Sequence, residues 1–220
     1  MSYRDELIRR LQQTRTWDQL TKQGQQDIET LTDDECRRVM ATADEWDMGI
    51  EQVIEPTLRG MAAEGRPFRG ALFVGLMIVD GKPMVLEYNT RFGDPECQTL
   101  MTRWKGSVMP LILGSAQGDF GDLALEWEAP ASLSVVLASG GYPGSYEKGK
   151  PITGLDAAGS LPKVTVFHAG TALDGDTVVT SGGRVLSVTA IGETIDEAAE
   201  RAYAAVDEID FEGKQLRRDI

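Results

Sequence analysis

Histidine and cysteine are nearly missing from this 220-residue sequence, which holds one His and two Cys. The single His168 excludes a multi-histidine metal centre, and Cys36 and Cys97 have neither metal-ligand spacing nor the numbers for a disulfide framework. A reducing, cytoplasmic location is expected. Long apolar runs are missing too: the longest, Ala71 to Val79, has nine residues, against the roughly 18–20 that cross a bilayer. The opening MSYRDELIRR has no apolar core or small-residue cleavage site, so neither a secretory signal nor a membrane partner is expected. Cations are in deficit, with 22 Lys and Arg against 35 Asp and Glu, a net charge of -13. Nucleic-acid binding needs cationic surface, so no nucleic-acid partner is expected either.

What remains, 41% apolar and 26% charged residues, is the composition of a soluble globular protein. Residues 1–47 contain no proline and read as a helical segment, with Cys36, Val39, Met40, Ala43 and Trp46 at 3-4 spacing. Thr32 to Glu35 fits a capping box at the start of that stretch. A further helix is expected from Ile50 to Met61, bent or restarted at Pro56. Two β-rich runs, GALFVGLMIV and MVLEYN, flank Asp80-Gly81-Lys82-Pro83 and read as an antiparallel hairpin. Asp94-Pro95 reads as an N-cap followed by proline at the first helical position, with the helix running toward Leu113.

The pattern changes around Glu126 to Ala131, where a domain boundary is expected. Beyond it, LSVVLASGG is a strand entering a glycine-rich loop, VTVFHAG is a second strand, and DTVVTSGGRVLSVTAIG reads as a hairpin around Ser181-Gly182-Gly183. Thr194 to Glu197 should cap an amphipathic helix through Ile209. Short strands plus one long helix make an α+β module.

The chemistry concentrates at the end of the first hairpin. Strand side chains alternate faces, so Glu87, Asn89 and Arg91 should share one side. A carboxylate and an amide oxygen two residues apart can converge on a hard cation. Mg²⁺ takes about six oxygens and commonly shares them between one or two protein groups, water and phosphate. Arg91 would clamp a carboxylate or phosphate, or else pair with Asp94 or Glu96. Asp94 is divided between a substrate contact and a helix cap. Taken alone, Glu-x-Asn also fits the solvated face of an edge strand. His168 reads as a packed or hydrogen-bonded residue, and Lys148 and Lys150 as solvated loop cations or phosphate contacts.

The segments EPTLRGMAAEGRPFRGALFVGLMI, LEYNTRFGDPE, ASGGYPGSYEKG, FHAGT, VTSGGRVLSVTA and GKQLRRDI, in this order from about Gln52 to Ile220, resemble the phosphoribosylamine–glycine ligase family of ATP-grasp enzymes. The resemblance implies a partial ATP-grasp domain over residues 48–127, an α+β C-terminal domain over 128–220, and a segment of unknown role over 1–47. It implies ligation of glycine to 5-phosphoribosylamine at the expense of ATP, by way of a glycyl phosphate. Glu87 and Asn89 would hold Mg²⁺ or Mn²⁺, Arg91 and Asp94 would lie by the substrates, and the loop from Gly140 to Lys148 would help wall the site. The family's nucleotide-fold domain and the first part of its ATP-grasp have no counterpart in residues 1–47. A chain inactive alone, completed by another that supplies the missing nucleotide-binding half, is therefore expected. Trp17, Leu20, Ile28, Leu31 and Trp46 would cover the hairpin's apolar face in place of the absent elements. The rival reading is a non-catalytic interaction or regulatory module that kept the fold, and a carboxylating ATP-grasp enzyme is a third.

Overall fold

The computed structural model describes residues 47–129 and 131–220. The helices expected over residues 1–46, their capping box and the Trp17 to Trp46 cover lie outside the described residues. The described residues form two compact units, one made of 47–68 and 72–89, the other of 69–71 and 90–220. Segment 90–127, grouped with the hairpin on sequence, thus belongs by its contacts to the second unit.

In the first unit, a π-helical turn (Ile50–Ile54) runs into helix α1 (Glu55–Ala63). Pro56 sits in the first turn of α1 and has no N–H to give. The chain restarts there as expected, with the Glu55 amide reaching back five residues to the Ile50 carbonyl. Strands β1 (Phe73–Val79) and β2 (Lys82–Asn89) form the expected antiparallel hairpin. Its turn is Asp80-Gly81 alone, with φ of 49° and 70°, the left-handed pair that a two-residue connection requires. Gly75 faces Glu87 while Leu76 faces Val85, so Leu86 is the extra residue of a β-bulge. Met77, Met84, Leu86 and Tyr88 of the hairpin are exposed.

The second unit opens with α2 (Glu96–Arg103) and α3 (Met109–Gln117). The single helix expected from Asp94 to Leu113 is broken here: Pro110 sits in the first turn of α3, where proline can start a helix but not continue one, and tertiary pairing takes the backbone between the two helices. Lys105 N–H donates to the Glu126 carbonyl at 3.0 Å, and Glu128 N–H donates to the Arg103 carbonyl at 2.7 Å. The rings of Trp104 and Trp127 then meet edge-on at 5.7 Å, with the Arg103 guanidinium 5.1 Å from the Trp127 ring. Gly106, at φ 92°, completes the turn.

Strand β3 (Ala131–Ala138), helix α4 (Leu155–Gly159), strands β4 (Val164–His168), β5 (Thr171–Asp174), β6 (Thr177–Thr180) and β7 (Arg184–Gly192), and helix α5 (Ile195–Glu208) complete the unit. The main sheet is antiparallel in the order β3-β7-β4, with β7 central. The hairpin expected around Ser181-Gly182-Gly183 does not form. Strand β6 pairs with β5 across Gly175-Asp176, and the Ser181–Gly183 turn carries the chain from one sheet to the other. The amides of Ser181 and Gly182 both donate to the Gly170 carbonyl, at 2.7 and 3.0 Å. A Cβ on Gly170 would press on the Gly182 backbone, so the crossing requires glycine there.

The two faces of the main sheet differ. On one, Leu133, Val135 and Leu137 lie opposite Ala190, Val188 and Leu186, all buried, with Ala198, Ala202, Ala205 and Val206 of α5 in the same core. Alanines at these positions let the helix approach closely, and burial of the apolar area is the main stabilising term. On the other, Ser134 meets the hydroxyls of Ser187 at 2.6 Å and Thr189 at 2.8 Å, and α2 packs over β3 and β7. Buried hydroxyls are tolerated because they satisfy one another. Thr194 caps α5 as expected: its hydroxyl accepts from the Glu197 amide at 3.2 Å, and the Glu197 carboxylate accepts from the Glu193 amide at 2.7 Å.

Candidate functional site

Glu87 and Asn89 close strand β2, and their side chains fall on one face. Asn89 Nδ2 donates to Glu87 Oε1 at 2.9 Å. The pair is built by the hairpin register, since a strand fixes residues i and i+2 on one side. Gly75 stands directly across from Glu87. A Cβ there would come within 3.2 Å of Glu87 Cγ, so glycine leaves the carboxylate its room. Sequence reading missed this position, although an isolated glycine inside a strand pattern is a signal of a bulge or close approach.

The two side chains are hard oxygen donors, and a rotation of the Asn89 amide about its last bond turns Oδ1 toward the same point as the carboxylate. Among the described residues no group of three or more His, Cys, Asp or Glu could hold a metal. A carboxylate and an amide on one strand face are a donor set that a magnesium ion completed by water and phosphate would fit.

Arg91 and Asp94 belong to the second unit. Strand β2 ends at Asn89, so the expected alternation Glu87, Asn89, Arg91 stops before Arg91. Arg91 Nη1 donates to the Phe92 carbonyl at 2.9 Å, and Arg91 forms no ion pair among the described residues, neither with Asp94 nor with Glu96. The expected N-cap is also revised. Pro95 occupies the cap position of α2, and no side chain caps it. Asp94 instead accepts from Gln98 Nε2 at 3.0 Å and faces Arg184 Nη2 at 3.3 Å. Its carboxylate is drawn across to the sheet, away from the orphan amides of its own helix.

These residues border a cleft of about 470 Å³ lined by Arg91, Asp94, Gln98, Phe167, His168 and Arg184, among others. His168 Nδ1 lies 3.0 Å from the Thr171 hydroxyl, which makes it a hydrogen-bonded residue, as expected. Cys97 is a half-buried helix residue at the same cleft. Arg184, missed in the sequence reading, opens the central strand.

In the glycine-rich loop, the Tyr142 ring lies against Gly183, where any side chain would collide with it. Lys150 is not a solvated cation. It bridges Glu147 at 2.7 Å and Glu212 at 3.1 Å. The hydrogen bond and charge of Lys150 hold the Glu147 carboxyl below its ordinary value of 4.5. A depressed acid stabilises the loop above its unfolded value, and that stabilisation is lost as pH falls through the folded one. Because Glu147 is exposed, solvent screens the pair. Lys150→Met should raise the Glu147 titration midpoint toward 4.5, read from its carboxyl ¹³C shift; an unmoved midpoint would show that the pair does not persist in solution.

Residues 35–97 match the model of the phosphoribosylglycinamide synthetase ATP-grasp (A) domain, and residues 132–220 match that of the phosphoribosylglycinamide synthetase C domain. The first match begins at residue 35, earlier than Gln52, where the resemblance in sequence motifs starts. Phosphoribosylamine–glycine ligase of Rhizobium meliloti is 49% identical over 179 residues, 81% of this chain and 42% of that protein. The Vibrio cholerae enzyme of the same name is 48% identical over 182 residues, 82% and 42% of the two chains. The crystal structure of phosphoribosylamine–glycine ligase from Thermotoga maritima superposes with a TM-score of 0.67 at 39% identity, over 81% of this chain and 43% of that one. The fold and the matched domains define a portion of an ATP-grasp ligase. The chain belongs to the phosphoribosylglycinamide synthetase family, and it spans about two fifths of the length of these relatives. No helix among the described residues is long and apolar enough to cross a membrane.

Proposed function

We propose that this chain contributes the metal-holding hairpin and the C domain to ATP-dependent ligation of glycine to 5-phosphoribosylamine, a step of de novo purine biosynthesis in the cytoplasm. The observation that carries the reading is the pairing of Glu87 and Asn89 at the strand end, a carboxylate and an amide within 2.9 Å in a chain of this family. Phosphoryl transfer asks a protein for positioning and charge neutralisation more than for covalent chemistry. The γ-phosphoryl group of ATP passes to a glycine carboxylate oxygen and ADP leaves. The amine of phosphoribosylamine then attacks the acyl carbon, phosphate departs, and the amine gives up a proton. Glu87 and Asn89 would hold Mg²⁺ or Mn²⁺, which supplies neutralisation of phosphate charge when bound. Arg91 would clamp an oxyanion of the substrates, and Asp94 stands beside it in the same turn.

These 220 residues alone are expected to show no ligase turnover. A nucleotide-binding half, carried on the same polypeptide or by a partner chain, would supply the remaining grip on ATP. The test mixes the chain with a separately produced nucleotide-binding half of a relative and follows ADP release. Release that requires glycine and phosphoribosylamine, and that bicarbonate does not replace, supports the reading. A mixture that gives no heat on titration with Mg-ATP, and releases no ADP with either co-substrate, would favour the non-catalytic module.

A further inference from the structure

The donors around Asp94 divide the labour of the two arginines at the second unit's cleft. We propose that Arg184 is a positioning residue that fixes the Arg91–Asp94 turn, leaving Arg91 as the guanidinium that takes an oxyanion, phosphate or carboxylate. This rests on the reading of Arg91 given above. Arg184 Nη1 donates to the Asp94 backbone carbonyl at 2.7 Å, and Nη2 faces Asp94 Oδ2 at 3.3 Å. One planar fork thus grips the main chain and the side chain of a single residue, while Gln98 Nε2 holds the other carboxylate oxygen at 3.0 Å. With both carboxylate oxygens and the carbonyl engaged, Asp94 anchors the turn.

The two ends of this grip differ in rigidity. Arg184 is the first residue of the central strand. Its main chain pairs with Ala138 of β3 on one side, and its carbonyl accepts from the Gly170 amide at 2.9 Å. Asp94 lies in a turn before α2, where the Cys97 amide donates to the neighbouring Gly93 carbonyl at 2.9 Å and Arg184 holds the carbonyl of Asp94 itself. A group on a rigid element that holds one on a loop is how a binding constellation keeps its geometry. Arg91, three residues earlier in the same turn, has no ion pair among the described residues and lines the same cleft as Arg184 and His168.

Arg184→Lys separates positioning from bulk charge. It preserves the positive charge but loses the fork, and Arg and Lys are not interchangeable at a two-point contact. The measurement is a titration of the 220-residue chain with inorganic phosphate, and in a parallel arm with glycine, followed by arginine side-chain NMR signals. The arm that perturbs Arg91 identifies which oxyanion it prefers. Arg184→Lys is expected to weaken that binding about three- to tenfold, a range set by one charge-assisted contact in a half-exposed pair. The thermal midpoint should barely move. Asp94→Asn should weaken binding as well, although removing a negative charge beside an anion would by Coulomb's law strengthen it. The double variant should add little to either single change. Wild-type affinity in Arg184→Lys, or tighter binding in Asp94→Asn, overturns the positioning role while leaving Arg91 in place. Binding that Arg91→Gln does not weaken overturns the Arg91 reading and this one together.

Discussion

Glu87→Ala should sharply weaken divalent-cation binding at the hairpin. With Mn²⁺ as the paramagnetic stand-in for Mg²⁺ and ATP present, affinity read from water-proton relaxation is expected to fall roughly 100-fold or more, since even an outer partner of a metal ligand is worth about 10–100-fold. The donor set explains the size of the effect. Among the described residues of the hairpin, Glu87 and Asn89 stand together, and Glu87 is the one that carries charge. Its loss leaves a neutral amide to hold a strongly hydrated cation. Asn89→Ala should cost less, about tenfold by the same comparison. Glu87 is exposed and, among the described residues, its side-chain hydrogen bond is to Asn89, so the fold should be untouched and the two variants should melt with the wild type. Unaltered Mn²⁺ relaxation in Glu87→Ala would remove the metal site from the hairpin.

Gly154→Ala should be the most damaging small substitution in the second unit. Gly154 has φ 79° at the entrance of α4, and a Cβ would run into the carbonyl oxygen of Glu208 at the end of α5. Neither side has a flexible end to move. Thr153 and Asp210 exchange backbone hydrogen bonds of 2.9 and 3.2 Å next to the contact, so the two segments are pinned together. A left-handed conformation costs an L-residue about 1–2 kcal/mol, and the collision adds to it, for a total of about 3 kcal/mol or more. That corresponds to a fall in melting temperature of roughly 10 °C for a chain of this size. Gly159→Ala is the control: it lies in the same short helix with nothing within 4 Å of its Cβ. It should be neutral or stabilising by up to about 1 kcal/mol. Equal melting of the two variants would show that the Gly154–Glu208 approach is absent in solution.

Features legible in the sequence were those whose physics is local. Asp80-Gly81 announces its turn because few residue pairs tolerate two successive positive φ angles. Thr194 and Glu197 announce a helix start because the Thr194 hydroxyl takes an orphan amide of the first turn and the Glu197 carboxylate takes the Glu193 amide just before the cap. The Glu87–Asn89 pair follows from strand alternation alone, and the bulge at Leu86 lies before it and leaves their shared face intact.

In each failure distant partners compete for groups that local rules had assigned. Asp94 has the sequence context of a cap, yet Arg184, ninety residues later, takes its carboxylate and carbonyl. The stretch after Asp94 does carry local break signals, Gly106 and Pro110, and residues 126–128 then capture the backbone at 103–105. Ser181-Gly182-Gly183 has hairpin composition, yet the Gly170 carbonyl takes its amides and β6 finds β5.

By itself the sequence determined the two-residue turn, the capped final helix, the α+β class and the placing of a carboxylate and an amide on one strand face, because each depends on residues within a few positions of one another. Tertiary structure alone decided that Arg184 grips Asp94, that the central strand is covered by helices on both faces, and that Gly154 must stay glycine. Those depend on which surfaces bury each other, and hydrophobic burial is non-directional, so only the packed chain selects the partners.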